Sequence, residues 1–137
     1  MRCEQQGPAL HGVHLELFAA KRVVLIPSGI GIAPPLSREG ARVRSGRCSY
    51  PLRTHEPTGV IAVAAPGLTL GDLFALWGQP LSRTRMAGFK GDVHAFVAGR
   101  RWRGAPKAIS LSHHAQIVLE VGGYVPPHRT YLFPPGL

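Results

Sequence analysis

Glycine and proline interrupt this chain so often that only short helices and strands fit between them. The sequence holds 17 glycines and 13 prolines in 137 residues, and proline disrupts both the interior of a helix and the middle of a sheet. No apolar run approaches the roughly 18 residues that a membrane-spanning helix needs. Because a domain usually takes about 100–150 residues, we expect one loop-rich domain over residues 1–137.

The segments between these interruptions have patterns typical of short strands and one helix. Segment 12–26 alternates apolar and polar residues and then becomes apolar, which predicts a strand, a tight turn and a second strand. Thr69 and Asp72 form a capping-box pattern before an apolar stripe at helical spacing that ends at Gly78, which predicts a short amphipathic helix. Further short strands are predicted at 47–52, 58–64, 92–98, 101–103 and 116–121.

The order of these elements indicates a fold class. Several strands around one mid-chain helix predict an α+β fold, with a predominantly antiparallel β-sheet and one short amphipathic helix. The order is compatible with a β-grasp-like sheet. The tail, residues 125–137, contains four prolines, so we expect it to run over the surface as extended chain.

An excess of arginine suggests one class of partner. There are 16 basic residues against 7 acidic ones, a net charge of +9, and most of the basic residues are arginine. Arginine binds phosphate and carboxylate groups through two parallel hydrogen bonds, so a basic polyanion-binding or nucleic-acid-binding module is one hypothesis. Nucleic acid is not the favoured partner, because the basic runs at 38–53 and 83–103 are not interleaved with the aromatic residues on which bases stack.

The two cysteines predict a disulfide bond rather than a metal ribbon or a redox motif. Cys3 and Cys48 are far apart in sequence and neither belongs to a Cys-x-x-Cys pair, which excludes the usual zinc-ribbon and thioredoxin-like spacings. A disulfide implies an oxidising compartment. No apolar signal peptide follows Met1, so either a leader has been trimmed and the protein is secreted or periplasmic, or it is cytoplasmic with two free thiols. We favour the first.

Histidine is the residue type most able to carry chemistry here, because neutral imidazole is a common ligand of zinc and copper and the usual general base near neutral pH. His11 and His14 are three positions apart, so within one strand they point to opposite faces. His113 and His114 also point apart if the chain is extended there. The chain has seven histidines, at positions 11, 14, 55, 94, 113, 114 and 128.

Several segments together resemble an uncharacterised family of small exported bacterial domains. They are the Cys48–Pro66 stretch, Ile26–Ile32, the Thr69-Leu-Gly-Asp-Leu-Phe-Ala-Leu-Trp-Gly-Gln-Pro-Leu81 helix, Ala115–Val121 and the Phe133-Pro-Pro-Gly-Leu137 ending. The family's usual pattern has a His-x-His-x-His run, a Leu-His-Thr-His segment after the cysteine and a histidine in a later Val-Ile-His-Val-Glu strand. The resemblance covers most of the chain and implies a copper or zinc site.

The chain departs from this pattern at the residues that would bind the metal. His14 and His55 match family histidines, but Arg53, Ala62 and Ala64 occupy other motif positions. The resemblance therefore implies a weak or vestigial metal site formed by His14 and His55, assisted by His11. Arg53 places a positive charge where relatives carry a histidine, which converts a cation site into one that accepts a small anion.

Three functional hypotheses follow. The first is a small extracytoplasmic binding or accessory domain with a weak copper or zinc site, or with a small anionic ligand at Arg53. The second is the polyanion-binding module. The third is a small enzyme with a site around Arg53 and His55, although no complete nucleophile motif or paired-carboxylate motif is present; we lean against this third hypothesis.

Overall fold

A computed structural model describes residues 1–137. One α-helix, α1 (Leu70–Trp77), and one short 3-10 helix, Pro106–Ala108, accompany twelve strands. The strands are β1 (His11–Ala19), β2 (Arg22–Val24), β3 (Ser37–Glu39), β4 (Arg42–Ser45), β5 (Leu52–Arg53), β6 (Val60–Val63), β7 (Leu81–Ser82), β8 (Arg85–Met86), β9 (Phe89–Lys90), β10 (His94–Val97), β11 (Arg100–Trp102) and β12 (Gln116–Val121).

Seven strands form the main sheet, in the order β11-β10-β12-β1-β6-β5, with β2 also paired to β1. The first long strand, β1, and the last strand, β12, are parallel neighbours at the centre, whereas every other pair is antiparallel. The strands β6 and β2 share one edge of β1, because β6 pairs with its first half and β2 with its last three residues. The predicted α+β class, with a predominantly antiparallel sheet and one short α-helix, is confirmed.

The core lies on one face of this sheet. Along β1 the side chains of Val13, Leu15 and Leu17 are at most 1% exposed and pack in one cluster with alternate residues of β12 and with the helix. This separation follows from the two-residue period of a strand. The other face buries a small cluster of Phe18, Phe96 and Val118. It also carries His14 and Glu16, so the polar residues of β1 lie away from the main core.

The helix forms where its local sequence predicts it. The Asp72 carboxylate accepts a hydrogen bond from the Thr69 backbone N–H, which completes the capping box. Gly78 adopts the left-handed conformation that ends the helix, with φ of 74°. Leu70, Leu73 and Phe74 are buried, so the apolar stripe packs on the main core as expected.

Two small sheets were not expected from the sequence. The hairpin β3–β4 occupies a basic stretch that has only one buried residue, Val43. The three-stranded unit β7-β8-β9 occupies a segment for which no strand is predicted, and each of its strands has two residues. The chain is not extended at His113 and His114: they lie in a turn, with His114 at φ of 55°. Their rings therefore stack, with centroids 3.8 Å apart.

The predicted disulfide between Cys3 and Cys48 is confirmed, with Cα atoms 5.3 Å apart. It joins the N-terminal segment to the chain just before β5. The backbones of Glu4 and Ser49 pair beside it through two hydrogen bonds. None of the helices is long and apolar enough to cross a membrane.

Candidate functional site

The largest cavity is a groove of about 710 Å³ between the β5–β6 region and the C-terminal tail. We call it the Arg53 groove. Leu52 and Thr54 are fully buried, and because side chains alternate along an extended chain, Arg53 and His55 project the other way. Both line the groove, together with Glu56 from the following loop and Tyr131 and Phe133 from the tail.

Arg53 is the charged group of this groove that lacks a charged partner. Its two terminal nitrogens make long contacts of 3.5 Å, one to the Ser49 hydroxyl and one to the Gly7 carbonyl oxygen. Its Nε is buried and donates to no acceptor. No carboxylate lies within 4.0 Å of it. Burial lowers the pKa of the Arg53 guanidinium, but arginine remains protonated at neutral pH, so a positive charge stays in the groove.

His55 is fixed in one tautomer. Its Nδ1 donates a hydrogen bond of 2.7 Å to the carbonyl oxygen of Val43. A neutral imidazole that donates from Nδ1 keeps a lone pair on Nε2. The unexpected strand β4 supplies this carbonyl, because Val43 is its second residue and pairs by its N–H with the His55 carbonyl oxygen. His55 therefore offers the groove an acceptor nitrogen.

The acidic residue at the groove is already neutralised. Glu56 accepts a hydrogen bond of 2.9 Å from Arg42, and both side chains are about half exposed. Exposed pairs of this kind contribute little to stability, but this one directs the Glu56 charge to Arg42. The positive charge of Arg53 is therefore not compensated from within the protein.

Aromatic residues of the tail form the opposite wall. Tyr131 stacks on the buried ring of His14 with the centroids 3.6 Å apart, and Phe133 stacks on His114 at 4.2 Å. These two stacks hold the tail against the rest of the domain. Sequence reasoning did not identify Tyr131 or Phe133 as site residues, because they contact residues that are far away in the chain.

His14 belongs to a buried hydrogen-bond network. Its Nδ1 lies 2.7 Å from the side-chain oxygen of Gln116, and its Nε2 lies 3.1 Å from the Thr58 carbonyl oxygen. The Gln116 amide donates to Glu16 at 2.7 Å, and His128 donates to the same Glu16 oxygen at 2.8 Å. Both ring nitrogens of His14 therefore face protein oxygens.

The structure does not bring His11, His14 and His55 together as one ligand set. His11 contacts the Leu111 carbonyl oxygen through Nε2 at 2.9 Å, and its odd spacing from His14 in β1 puts the two rings on opposite faces. No group of three or more His, Cys, Asp or Glu side chains is placed to hold a metal ion. The contacts of His14 do not fit a metal ligand, which needs a free lone pair. The copper or zinc site stays a prediction.

Glu120 is a second buried charge that sequence reasoning did not single out. It is 1% exposed on the same sheet face as His14, one oxygen accepts from the Val125 N–H, and the other has no partner. Burial raises the pKa of the Glu120 carboxyl above its ordinary value of about 4.5, although the Val125 hydrogen bond and the charge of His94 act in the opposite direction. Relative to the unfolded chain, folding therefore favours the protonated form of the Glu120 carboxyl.

This raised pKa predicts a pH-dependent stability. The contribution of Glu120 is complete below its unfolded pKa of about 4.5 and is lost as pH rises through its higher folded pKa. Glu120→Gln keeps an acceptor for Val125 without the charge, so we expect the variant to be more stable than the wild-type protein at pH 7 and to lose this advantage as the pH falls. Thermal unfolding of both proteins between about pH 4 and 7 measures the difference. Parallel profiles would contradict the prediction.

Comparison with known proteins gives no assignment: no family model, no curated protein and no solved structure matches this chain.

Proposed function

We propose that this protein is a small binding domain that holds a small organic anion in the Arg53 groove. The observation that carries the proposal is the Arg53 guanidinium, which lines the largest cavity with a buried, unpaired Nε and no carboxylate partner. A buried polar group without a partner is costly. The two terminal nitrogens make only long contacts of 3.5 Å within the protein, so an oxyanion of a ligand in the groove would accept two parallel N–H···O bonds from them.

The other groove residues suggest the chemistry of this ligand. His55 offers an acceptor nitrogen because its Nδ1–H is used by Val43, so it fits a hydroxyl or amino group. Tyr131 and Phe133 offer aromatic surface. The class that uses all three features is a hydroxy or amino acid anion with an apolar side chain, in which Arg53 takes the carboxylate and the tail takes the apolar part.

The disulfide favours an extracytoplasmic location for this ligand binding. Cysteine pairs persist in oxidising compartments and are rare in the cytosol, and the Cys3–Cys48 bond lies next to the groove-forming strand β5. We therefore propose that the domain binds its ligand outside the cytoplasm.

Isothermal calorimetry tests the proposed function. The ligands are the anion phenyllactate and the zwitterion phenylalanine, with phenyllactamide and phenylalaninamide as controls that lack the carboxylate. We expect the two carboxylates to bind saturably and the amides to bind more weakly. Charge-assisted hydrogen bonds contribute about 1.5–3 kcal/mol, so Arg53→Met should weaken binding by about 10- to 100-fold, and Arg53→Lys by less.

A matched control is Arg47→Met, which removes an exposed arginine outside the groove. We expect it to leave the affinity unchanged. Equal losses in the Arg47 and Arg53 variants, or equal affinity for amides and carboxylates, would contradict the proposal.

The metal hypothesis is distinguished by titration with copper and zinc alone. A site at His55 predicts saturable metal binding that His55→Ala abolishes and Arg53→Met leaves intact. An anion site predicts instead that Arg53→Met weakens the binding of organic acids more than His55→Ala does. The two sets of variants therefore separate these functions even if both ligands bind weakly.

A further inference from the structure

Five exposed arginines gather at the opposite edge of the main sheet from the Arg53 groove. Strand β11 is the last strand on that side, and three of the arginines belong to it or follow it directly. We call this set the β11 arginine patch; its members are Arg83, Arg100, Arg101, Arg103 and Arg129. None of them has a carboxylate within 4.0 Å.

The fold brings these residues together although they come from three parts of the chain. Arg83 donates a hydrogen bond of 3.2 Å to the Arg103 carbonyl oxygen, and with Arg101 they line a cavity of about 260 Å³. Around the edge, Arg100 and Arg129 line a second cleft of about 600 Å³. Asp92 is the one acidic residue that lines either cavity. The patch therefore presents several positive charges against a single negative charge.

Part of the patch is held in place by packing. The Arg101 guanidinium lies over the Phe96 ring, 5.9 Å from its centroid, a cation–π contact that leaves its hydrogen-bond donors open. The Arg129 side chain lies against Gly99 in the turn between β10 and β11. These contacts already restrict the rotamers of Arg101 and Arg129, so less side-chain entropy is lost when a ligand binds.

We propose that the β11 arginine patch binds an acidic polysaccharide that carries sulfate or phosphate groups. Guanidinium groups form paired hydrogen bonds with such oxyanions, and the arrangement around a sheet edge suits a linear chain with repeated charges. The site is separate from the Arg53 groove and does not depend on its ligand.

The surroundings favour a polysaccharide over single-stranded nucleic acid. Bases require open aromatic faces for stacking. Trp102, which lines the smaller cavity, is half-buried, its indole N–H donates to the Ala105 carbonyl oxygen, and Gly104 lies against its ring. A disulfide-bonded domain also meets acidic glycans more readily than nucleic acid, because disulfides persist outside the cytosol.

Fluorescence anisotropy with a labelled heparin dodecasaccharide tests the proposal. The test variant is R100Q/R101Q/R103Q, and the control is R2Q/R22Q/R38Q, which removes the same charge from exposed positions on three other segments. We expect the test variant to bind at least about ten times more weakly. The slope of log affinity against log salt concentration should be smaller by about two in this variant, because each of the lost charges contributes somewhat less than one to the slope. The control should lose much less.

Three outcomes would overturn the proposal. The first is no saturable heparin binding by the wild-type protein. The second is an equal loss in both triple variants, which would assign binding to net charge. The third is tighter binding of a labelled oligothymidylate of matched charge, which would assign the patch to nucleic acid. Because the substituted residues are all exposed, unchanged thermal unfolding verifies that each variant is folded.

Discussion

Replacing Cys3 and Cys48 with serine is expected to lower the free energy of unfolding by about 4 kcal/mol. The bond closes a loop with a sequence separation of 45, and opening it restores the entropy of that loop to the unfolded chain. For a domain of this size, such a loss is a large share of a total stability of about 5–15 kcal/mol.

The contacts beside the disulfide explain why its loss also affects the Arg53 groove. Glu4 pairs with Ser49 through two backbone hydrogen bonds, and Gln6 donates to the Ser49 carbonyl oxygen. The Gly7 carbonyl oxygen is one of the two acceptors near Arg53. Without the covalent bond, hydrogen bonds such as these, each worth about 1 kcal/mol, hold the N-terminal segment in place.

Urea denaturation of the oxidised protein, the reduced protein and the C3S/C48S variant measures this effect. We expect the reduced protein and the variant to unfold at similar, lower urea concentrations, and reductant should leave the variant unchanged. A difference below about 1 kcal/mol between oxidised protein and variant would contradict the loop-closure argument.

Local sequence signals predicted two kinds of element: those specified by neighbouring residues, and those with a clear alternation of side chains. The capping box, the apolar stripe and Gly78 specify α1 without reference to the rest of the chain. The alternation in β12 reflects its central place in the sheet, and its observed bounds, Gln116–Val121, are those predicted. The hairpin β3–β4 has almost no buried side chains to produce such a pattern. Only the turn residue Gly40, with φ of 59°, marks it.

The candidate site was predictable only in part. Arg53 and His55 are two positions apart, so the sequence alone places them on the same side of an extended chain. The sequence likewise places His11 and His14 on opposite faces of a strand. It does not indicate which residues these side chains contact. Tyr131 meets His14 across more than a hundred residues, and Val43 fixes His55 from a hairpin that the sequence did not indicate. Such contacts depend on how the whole chain folds, which the periodicity of apolar residues within one segment does not reveal.

Gly31→Ala is expected to destabilise the protein by about 3 kcal/mol or more, because it combines two costs. Gly31 has φ of 76°, a region that costs other residues about 1–2 kcal/mol. A Cβ atom there would overlap the Leu52 carbonyl oxygen in β5, and forcing extra atoms into a packed site adds about 1–3 kcal/mol. Because Arg53 follows Leu52 in β5, a shift of this strand away from Gly31 would also move the Arg53 groove.

Gly29→Ala is the matched control for this prediction. Gly29 lies in the same loop with φ of 92°, but its Cβ would meet only side chains, the nearest being Leu36 at 3.4 Å. This variant should therefore be destabilised only by the backbone strain, about 1–2 kcal/mol. The affinity of its Arg53 groove for phenyllactate should be unchanged. Urea denaturation and calorimetry of both variants measure the two effects. Equal losses of stability would show that β5 accommodates the extra atom, and the position of Arg53 would then not depend on Gly31.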